Sequence, residues 1–291
     1  MKVRVEKQIG AQIFSIETGN LAKQASGSCL VQYGETVVLT AACSGPPRPG
    51  VTDFFPLTCD YRERTAAAGK FPGGFIKREG RPTQKETLTS RLMDRPIRPL
   101  FPTWFRDEVQ IQAFVVSSDR QNDADVLAMN GASAALTISP LPFEGPLGSV
   151  RLGRIDGQFV PFPTQDQLEE SDLDLIVSGS KEAVLMIEGF ARELPENVMV
   201  DAILECHRHI REICDLQLEL AQKLDVQKKL YEIPPSDGVY DQLRSKYYDA
   251  FRAAKQTEGK HARADAVSAL KERAWGFLGR FMHCSAFRDP K

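Results

Sequence analysis

The sequence of 291 residues predicts an α+β protein in which mixed sheets pack on helices and a partial all-α segment follows. Three observations lead to this prediction. Apolar and polar residues alternate through the first 60 residues, which is typical of strands. Later segments repeat apolar residues at spacings of three and four, which is typical of helices. A proline-containing break then precedes a separate helical pattern, and the length allows about two domains.

Strands dominate the prediction for the start of the chain. They are expected around Val3 and Val5 and at residues 12–17, 28–32, 35–44 and 54–61. Turn signals at 19–20, 33–34 and 45–50 separate the apolar segments, so an antiparallel meander of hairpins is predicted. Residues 62–82 are rich in glycine, proline and charge, which indicates an exposed loop. A helix is then expected to begin at Thr83 or Thr87 and to end at Pro96.

Strands and helices mix in the prediction for the rest of the chain. They comprise a strand at 109–117, a core helix at 123–138, a hairpin at 149–162, strands at 173–178 and 184–188, and a helix at 196–224. Pro234 and Pro235 mark a domain boundary at 232–238, and a helical segment begins at Val239. The charged helical pattern stops after Ala274, and residues 275–291 show no helical or strand period.

Composition disfavours secretion and membrane insertion. The first ten residues lack the apolar core of a signal peptide. The longest uncharged stretch, residues 126–143, contains two prolines and several polar residues, so no membrane role is expected. Six cysteines lie far apart without a C-x-x-C pair, which favours a reducing compartment. We therefore expect a cytoplasmic protein.

Positive charge is concentrated in one segment of the chain. Residues 62–106 contain eleven Lys and Arg against four acidic residues, a local charge of +7. Because the whole chain has a net charge of −2, the remainder carries −9. Such segregation indicates a site for an anionic ligand, and phosphate groups are the expected anions.

The strongest candidate site lies between Gly69 and Pro102 of this basic segment. Gly73 and Gly74 allow a tight turn, Phe75 offers a stacking face, and basic side chains beside it can meet phosphates. The basic candidates in this loop are Lys77, Arg78 and Arg81. This is the outline of a loop that binds single-stranded nucleic acid. The alternative is a solvated loop whose charges bind nothing specific.

Three further arginines extend the candidate surface at helical or turn spacing. Arg91, Arg95 and Arg98 can present guanidinium groups at helical or turn spacing, and Pro96 and Pro99 stiffen the backbone. Asp94 supports a different interpretation. It can pair with one of these arginines and make it part of a structural ion pair.

Other chemistries have weaker support in the sequence. The segment after Gly69 and Lys70 lacks the upstream glycine of a phosphate-binding P-loop, and metalloprotease, hydrolase and dinucleotide-binding motifs are absent. Cys206 and His209 can share one helix face, but core packing explains the cysteine adequately. Asp172 and Asp174 alternate along a strand and can face one side, where an ordinary acidic surface is the simpler interpretation. No catalytic or metal-binding residue is assigned from these patterns.

Four segments closely resemble the bacterial polynucleotide phosphorylase family: GKFPGGFIKREGRP (69–82), RLMDRPIRPLFP (91–102), DVLAMNGASAAL (125–136) and SDLDLIVSGSKEAVLMIEG (171–189). The resemblance covers about residues 1–270. It implies a first RNase PH-like core domain, of the ribosomal protein S5 domain 2-like class, at 1–232, with parts at about 1–143 and 147–232. A partial all-helical linker domain at 233–274 and a nonmatching tail at 275–291 would follow.

The resemblance also implies an activity and partners. The family degrades single-stranded RNA from its 3′ end by phosphorolysis, releases nucleoside diphosphates and forms a homotrimer whose channel is lined by the first core; no DNA partner is expected. Mg²⁺ and inorganic phosphate are implied, with their binding residues in a second core outside this chain. This chain would then supply RNA guidance and trimer surface, and would be inactive alone.

The matching loop departs from the family at two positions. Family members usually have two aromatics followed by two arginines, whereas this chain has Phe75, Ile76, Lys77 and Arg78. Base stacking would then rest on Phe75 alone. The family's second core and RNA-binding domains are not in this chain, so we expect an N-terminal fragment. The alternatives are a noncatalytic RNA-binding protein and a truncated product that aggregates.

Overall fold

The structure is a computed structural model that describes residues 2–47, 54–232 and 238–284. Its contacts divide the chain into two units, residues 1–231 and 232–291. The predicted boundary at 232–238 falls for the most part on residues outside the described ones. Both sheets belong to the first unit, and the described part of the second unit is helical.

Six strands form the first sheet of the first unit. They are β1 (Val3–Ile9), β2 (Gln12–Thr18), β3 (Gly27–Tyr33), β4 (Thr36–Gly45), β5 (Leu57–Glu63) and β6 (Glu108–Ser117), in the spatial order β1-β2-β3-β4-β6-β5. The antiparallel meander is confirmed for β1 to β4. β5 does not extend it, because β5 pairs parallel with β6 at the sheet edge. A long crossover joins these two strands, as parallel pairing requires.

The first helix, α1 (Gln84–Ile97), lies in that crossover. Thr83 is its N-cap, and a capping box joins Thr83 and Glu86. The expectation that the helix ends at Pro96 is wrong, because Pro96 lies inside the last turn and the helix ends at Ile97. A 3₁₀ turn at Arg98–Leu100 follows. A proline there removes one hydrogen bond without breaking the earlier turns.

The second helix, α2 (Ala124–Thr137), is buried along its whole length. It contacts β3, β4 and β6 of the first sheet and β7 of the second. Two glycines allow the close approach. A Cβ atom on Gly27 would lie 2.0 Å from the Ala135 carbonyl oxygen, and one on Gly131 would lie 2.4 Å from Thr40 Oγ1. The predicted small-residue core helix is therefore confirmed.

Four antiparallel strands form the second sheet. β7 (Gly148–Ile155), β8 (Gln158–Pro161), β9 (Leu173–Gly179) and β10 (Val184–Ala191) lie in the order β10-β9-β7-β8. The hairpin around Asp156 and Gly157 is confirmed. A short helix, α3 (Gln165–Glu170), begins at a capping box on Thr164 and was not predicted. The long α4 (Glu196–Lys223) packs on this sheet and on β1.

The second unit contains α5 (Val239–Lys255) and α6 (Lys260–Cys284), which pack against each other. The expectation that helical structure stops after Ala274 is wrong, because α6 continues through residues 275–284. Gly276 and several aromatics weaken the sequence signal there, yet alanine, leucine and arginine around them favour a helix. Within the described ranges, every helix is too short or too polar to cross a membrane.

Candidate nucleic-acid interface

The predicted basic loop is anchored to the end of β5 and to the 3₁₀ turn at Thr65–Ala68 that follows it. On one side, the Glu79 carboxylate accepts hydrogen bonds from the Thr65 backbone nitrogen at 3.0 Å and from Thr65 Oγ1 at 2.9 Å. On the other, the Glu86 carboxylate accepts from the backbone nitrogens of Thr83 at 2.6 Å and Glu63 at 2.9 Å. Although burial raises the pKa of Glu86, these donors hold it below its ordinary value. The chain between the two anchors is thereby held at the end of β5.

The loop between these anchors presents two exposed rings, Phe71 and Phe75, and four exposed cations, Lys70, Lys77, Arg78 and Arg81. Phe75 is completely exposed, with a relative accessibility of 103%, and Ile76 beside it is 76% exposed. Lys77, Arg78 and Arg81 are exposed as well, and none of them forms an ion pair within the described parts of the chain. The available π face and the unneutralised cations suit a ligand with bases and phosphates.

The backbone at the loop tip has an uncommon conformation. Gly74 has φ +76°, which a glycine adopts freely. Lys77 has φ +48°, which few residues with a side chain adopt. Strain of this kind is more common at ligand-binding positions than elsewhere. The backbone conformation of Lys77 therefore favours a binding role for the turn that carries the basic side chains.

Arg91 and Arg95 lie on the exposed face of α1 and line a separate cleft of about 690 Å³. Arg95 Nη1 lies 2.5 Å from Glu188 Oε2, in an ion pair whose side chains are more than half exposed. Exposed pairs of this kind contribute little to stability, so Arg95 can exchange Glu188 for a phosphate at small cost. Phe190, 67% exposed, forms an apolar wall of the same cleft. The loop residues are not part of this lining.

Arg98 occupies a different environment from the other predicted arginines. Its Nη2 lies 2.7 Å from Asp94 Oδ1, and its guanidinium also donates to the backbone oxygens of Phe55 at 2.8 Å and Leu57 at 3.2 Å. These contacts fix the start of β5 against the end of α1. The ion-pair interpretation left open for Asp94 therefore describes Arg98, while an RNA contact by Arg98 stays a prediction.

An ionic network forms the floor of the cleft. Arg151 Nη1 lies 2.8 Å from Asp123 Oδ2 and 3.4 Å from Asp125 Oδ2, and its Nε lies 2.9 Å from Asp174 Oδ1. Lys85 Nζ adds a contact of 2.8 Å to Asp123. These residues come from α1, from the start of α2 and from strands of the second sheet. The network thus joins the two halves of the first unit.

The pKa values of two neighbouring carboxyls in this network, Asp125 and Asp123, are shifted in opposite directions. Burial, opposed by Arg151 and reinforced by the Asp123 charge, raises the pKa of Asp125 to about 6. Burial alone would raise the pKa of Asp123 too, but Lys85 and Arg151 together hold it below its ordinary value. Sequence reasoning missed Arg151, the central residue of this network. A single arginine on a strand, outside the basic segment, gives no sequence signal of an ionic network.

The other sequence candidates are occupied by structural contacts. Arg154 Nη1 lies 2.5 Å from Asp172 Oδ2, and Asp174 forms an ion pair with Arg151. Cys206 is buried, and that burial raises the pKa of its thiol to about 12. Among the described side chains of residues 2–47, 54–232 and 238–278, no group of three or more His, Cys, Asp or Glu could hold a metal ion.

Comparison with solved structures identifies the fold class. A structure described as the Archaeoglobus fulgidus exosome with RNA bound to the active site superposes with a TM-score of 0.56 over 74% of this chain and 87% of that chain, at 16% identity. Rice Rrp46 superposes with a TM-score of 0.60 over 74% of this chain and 96% of that chain, at 15% identity. The first unit therefore has an RNase PH-like fold.

Sequence comparison then identifies the family. Models of the 3′ exoribonuclease family match at residues 12–142 for domain 1 and at residues 145–207 for domain 2. Both domain models match in the family's order and together span about two thirds of the chain. The chain belongs to the 3′ exoribonuclease family.

Curated relatives extend this similarity over almost the whole chain. Polyribonucleotide nucleotidyltransferase of Rhodopirellula baltica is 63% identical over 273 residues, which is 94% of this chain and 36% of the relative. The proteins of that name from Halalkalibacterium halodurans and Sorangium cellulosum are 49% and 46% identical, with 37% and 36% of their lengths covered. The chain thus spans little more than a third of these relatives.

Proposed function

We propose that this chain binds single-stranded RNA and guides its 3′ end within a phosphorolytic 3′-to-5′ exoribonuclease that releases nucleoside diphosphates. The names of the relatives and the two family matches support the reaction class. The observation that carries the assignment to RNA guidance is the anchored loop, in which a fully exposed Phe75 stands beside Lys77, Arg78 and Arg81. The reaction serves the turnover of messenger RNA.

The side chains of this interface bind and orient RNA. Phe75 stacks on one base without regard to sequence, since every base has a π face. Lys77, Arg78 and Arg81 meet the phosphates on either side of that base. Such groups position the strand, and the acid-base and metal chemistry of phosphorolysis belongs to other residues of the longer proteins.

The first core domain in this proposal spans residues 1–232, and a partial helical linker begins at 233. Inorganic phosphate is the attacking group, and the residues that bind it and Mg²⁺ lie in the part of the relatives that this chain does not cover. In this proposal the enzyme acts in the cytoplasm as a homotrimer, to which the first core contributes surface. The role proposed for this chain is to bind and orient the RNA.

The loop is tested by reversing its charge. In the variant Lys77→Glu, Arg78→Glu, Arg81→Glu, binding of fluorescent oligoadenylate should be lost, measured by anisotropy at two salt concentrations. Wild-type affinity should fall steeply with salt, because each phosphate contact contributes a slope of about −0.7 for single strands. The circular dichroism spectrum should not change, since these side chains are exposed.

A matched control reverses three exposed lysines outside the basic segment. Lys23→Glu, Lys181→Glu and Lys223→Glu change the net charge by the same amount and should lower the affinity much less. Equal losses in both triple variants would show that only net charge matters. Unchanged affinity in the loop variant would remove the loop from the proposal.

The chemistry is tested by phosphate-dependent release of nucleoside diphosphates from poly(A) in the presence of Mg²⁺. We expect binding without release, because this chain supplies guidance and not the chemical step. Release by the purified chain would place an active site among its own residues and contradict that division. Failure to bind RNA at all would contradict the proposed function itself.

A further inference from the structure

The second unit carries an exposed strip of aromatic and basic side chains along α5, outside the loop and the cleft. The strip consists of Tyr240, Arg244, Tyr248, Phe251 and Lys255. Its three rings are 67%, 52% and 41% exposed for Tyr240, Tyr248 and Phe251. At about 100° per residue, the five positions fall within about 80° of the helix circumference. They therefore form one continuous surface, which we call the α5 strip.

The face of α5 next to the strip packs on α6. The Tyr247 hydroxyl donates to the Arg273 backbone oxygen at 3.3 Å, and the Tyr247 ring lies 6.1 Å from the Phe277 ring. Lys246 Nζ lies 3.8 Å from the centre of the Phe277 ring. The helix pair is thus closed by side chains that do not belong to the strip.

Cations and rings alternate within the strip and are already in contact. The Arg244 guanidinium lies 5.8 Å from the centre of the Tyr248 ring, and Lys255 Nζ lies 5.5 Å from the centre of the Phe251 ring. Such contacts hold the long basic side chains beside the aromatic faces. Among the residues of α5, all of which are described, no acidic side chain falls within the strip. Its charge is therefore not neutralised on its own surface.

This chemistry favours a polyanion with flat groups over an apolar protein surface. Tyrosine, phenylalanine and arginine are also common at protein interfaces, but lysine is depleted at their centres, and Lys255 stands beside a strip ring. Single-stranded nucleic acid needs both components, since bases stack on aromatic rings and phosphates pair with nearby cations. The strip offers three rings to bases, and the rise of about 22 Å along fifteen helical residues accommodates an extended strand.

We propose that the α5 strip is a second binding site for single-stranded RNA, one base to a ring, separate from the loop around Phe75. This inference rests on the proposed function, which makes RNA the partner of the chain. The site extends the length of RNA that the chain holds. It also gives the helical segment a binding role of its own.

The test measures the affinity of the full chain for fluorescent oligouridylate. One variant removes the rings (Tyr240→Ala, Tyr248→Ala, Phe251→Ala) and another removes the charges (Arg244→Gln, Lys255→Gln). Each should weaken binding at least about tenfold, as expected from the loss of stacking or phosphate contacts. Alanine and glutamine are good helix formers, so circular dichroism should report an intact helix.

A matched control alters the neighbouring helix. Trp275→Ala removes a ring that is 71% exposed on α6, and Arg263→Gln removes an exposed cation there. Neither change should alter the affinity by more than about twofold, in line with the small effect of single exposed groups. In addition, iodouridine in the RNA should crosslink under light to a peptide of α5, and the ring variant should lose this crosslink.

The outcomes separate this inference from the proposed function. Loss of binding in the loop variant with unchanged affinity in both strip variants overturns the strip and leaves the proposed function in place. Loss in the strip variants alone supports the strip and contradicts the loop. Absence of RNA binding by the wild-type chain overturns both. A wild-type dimer that the ring variant dissociates, with RNA affinity unchanged, would identify a protein contact and overturn the strip.

Discussion

Arginine side chains in this protein differ in what already occupies their guanidinium groups. Arg98 is held by a carboxylate and two backbone oxygens, and Arg151 by three carboxylates. Arg78 and Arg81 face solvent without such partners in the described parts of the chain. Arg151 stabilises the fold, because removing one partner of a buried pair leaves an uncompensated charge. Arg98 is less buried and stabilises the fold through its hydrogen bonds to the two backbone oxygens. Arg78 and Arg81 keep their binding capacity for a ligand.

The pH dependence of stability should report the buried Asp125. Its pKa of about 6 in the folded state is above the ordinary value of about 3.9 in the unfolded chain. The folded state therefore binds more protons between these values, and Asp125 favours folding more as pH falls through about 6. In Asp125→Asn this contribution is removed. The stability of the variant relative to wild type should rise by about 2–3 kcal/mol between about pH 4 and pH 7.

Urea denaturation of both proteins at several pH values measures this difference. Groups common to the two proteins cancel in the comparison, apart from those that contact Asp125. Glu170→Gln, which changes an exposed carboxyl in the same unit, should show no such trend. A difference between Asp125→Asn and wild type that stays flat with pH would mean that Asp125 is ionised throughout in the folded protein.

At this scale the sequence predicted the exposed members of the candidate site better than the buried ones. Glycine, aromatic and basic residues close together mark a loop such as that around Phe75, and the signal is local. The partner of Arg98 was one of two open interpretations, because a pair four residues apart can form only if the helix continues past Pro96. Arg151 gave no local signal at all, since its three carboxylates come from other parts of the chain.

At the scale of elements, the contact between β3 and α2 depends on Gly27. A methyl group at this position would meet the Ala135 carbonyl oxygen at 2.0 Å, and neither backbone can move without separating helix and sheet. We expect Gly27→Ala to lower the free energy of unfolding by about 1–3 kcal/mol or more, the cost of overpacking a filled core. Urea denaturation at neutral pH measures the loss.

The matched change is Gly73→Ala in the basic loop. An added Cβ there meets nothing within 4 Å, and the backbone of Gly73 does not have positive φ. The free energy of unfolding of the Gly73→Ala variant should stay within about 0.5 kcal/mol of wild type, as for most exposed substitutions. Equal stability for both alanine variants would show that the helix and the sheet approach less closely than the structure indicates.

Periodicity predicted the elements whose neighbours in sequence are also neighbours in space. The meander of β1 to β4 and the hairpin at Asp156 and Gly157 are of this kind, since a short turn specifies each pairing. Periodicity did not predict the position of β5 in the sheet, because its partner β6 follows in sequence only after a loop and α1. The sequence did not predict that α6 continues past Ala274, because the residues after Ala274 keep helix propensity but no longer show an apolar periodicity.

At the scale of the molecule, charge and packing are divided along the chain. The basic segment lies where the polypeptide leaves the first sheet, and its cations remain on the surface because the core beneath is made of the sheets, α2 and α4. The second unit adds its own basic and aromatic surface on α5. Binding of a polyanion therefore does not require any part of the hydrophobic core to open. This arrangement suits a protein that guides a strand to chemistry elsewhere.

The boundary between the two units should be testable by truncation. Residues up to Tyr231 are tied to the first unit, since the Tyr231 ring lies 5.3 Å from Phe105 and 6.0 Å from Trp104, and the Lys229 backbone nitrogen donates to the Pro140 oxygen at 2.9 Å. A chain that ends at Tyr231 keeps these contacts and a continuous core. We therefore expect it to fold and to retain near-ultraviolet circular dichroism.

Thermal unfolding then compares this truncated chain with the full one. The main transition should lie within about 2 °C, which corresponds to less than about 1 kcal/mol for a unit of this size. A second truncation that ends at Leu224 removes the Tyr231 ring and the Lys229 hydrogen bond, and should lower the transition further. If the chain ending at Tyr231 aggregates or loses its cooperative transition, the first unit depends on residues beyond 231 and the proposed domain boundary is misplaced.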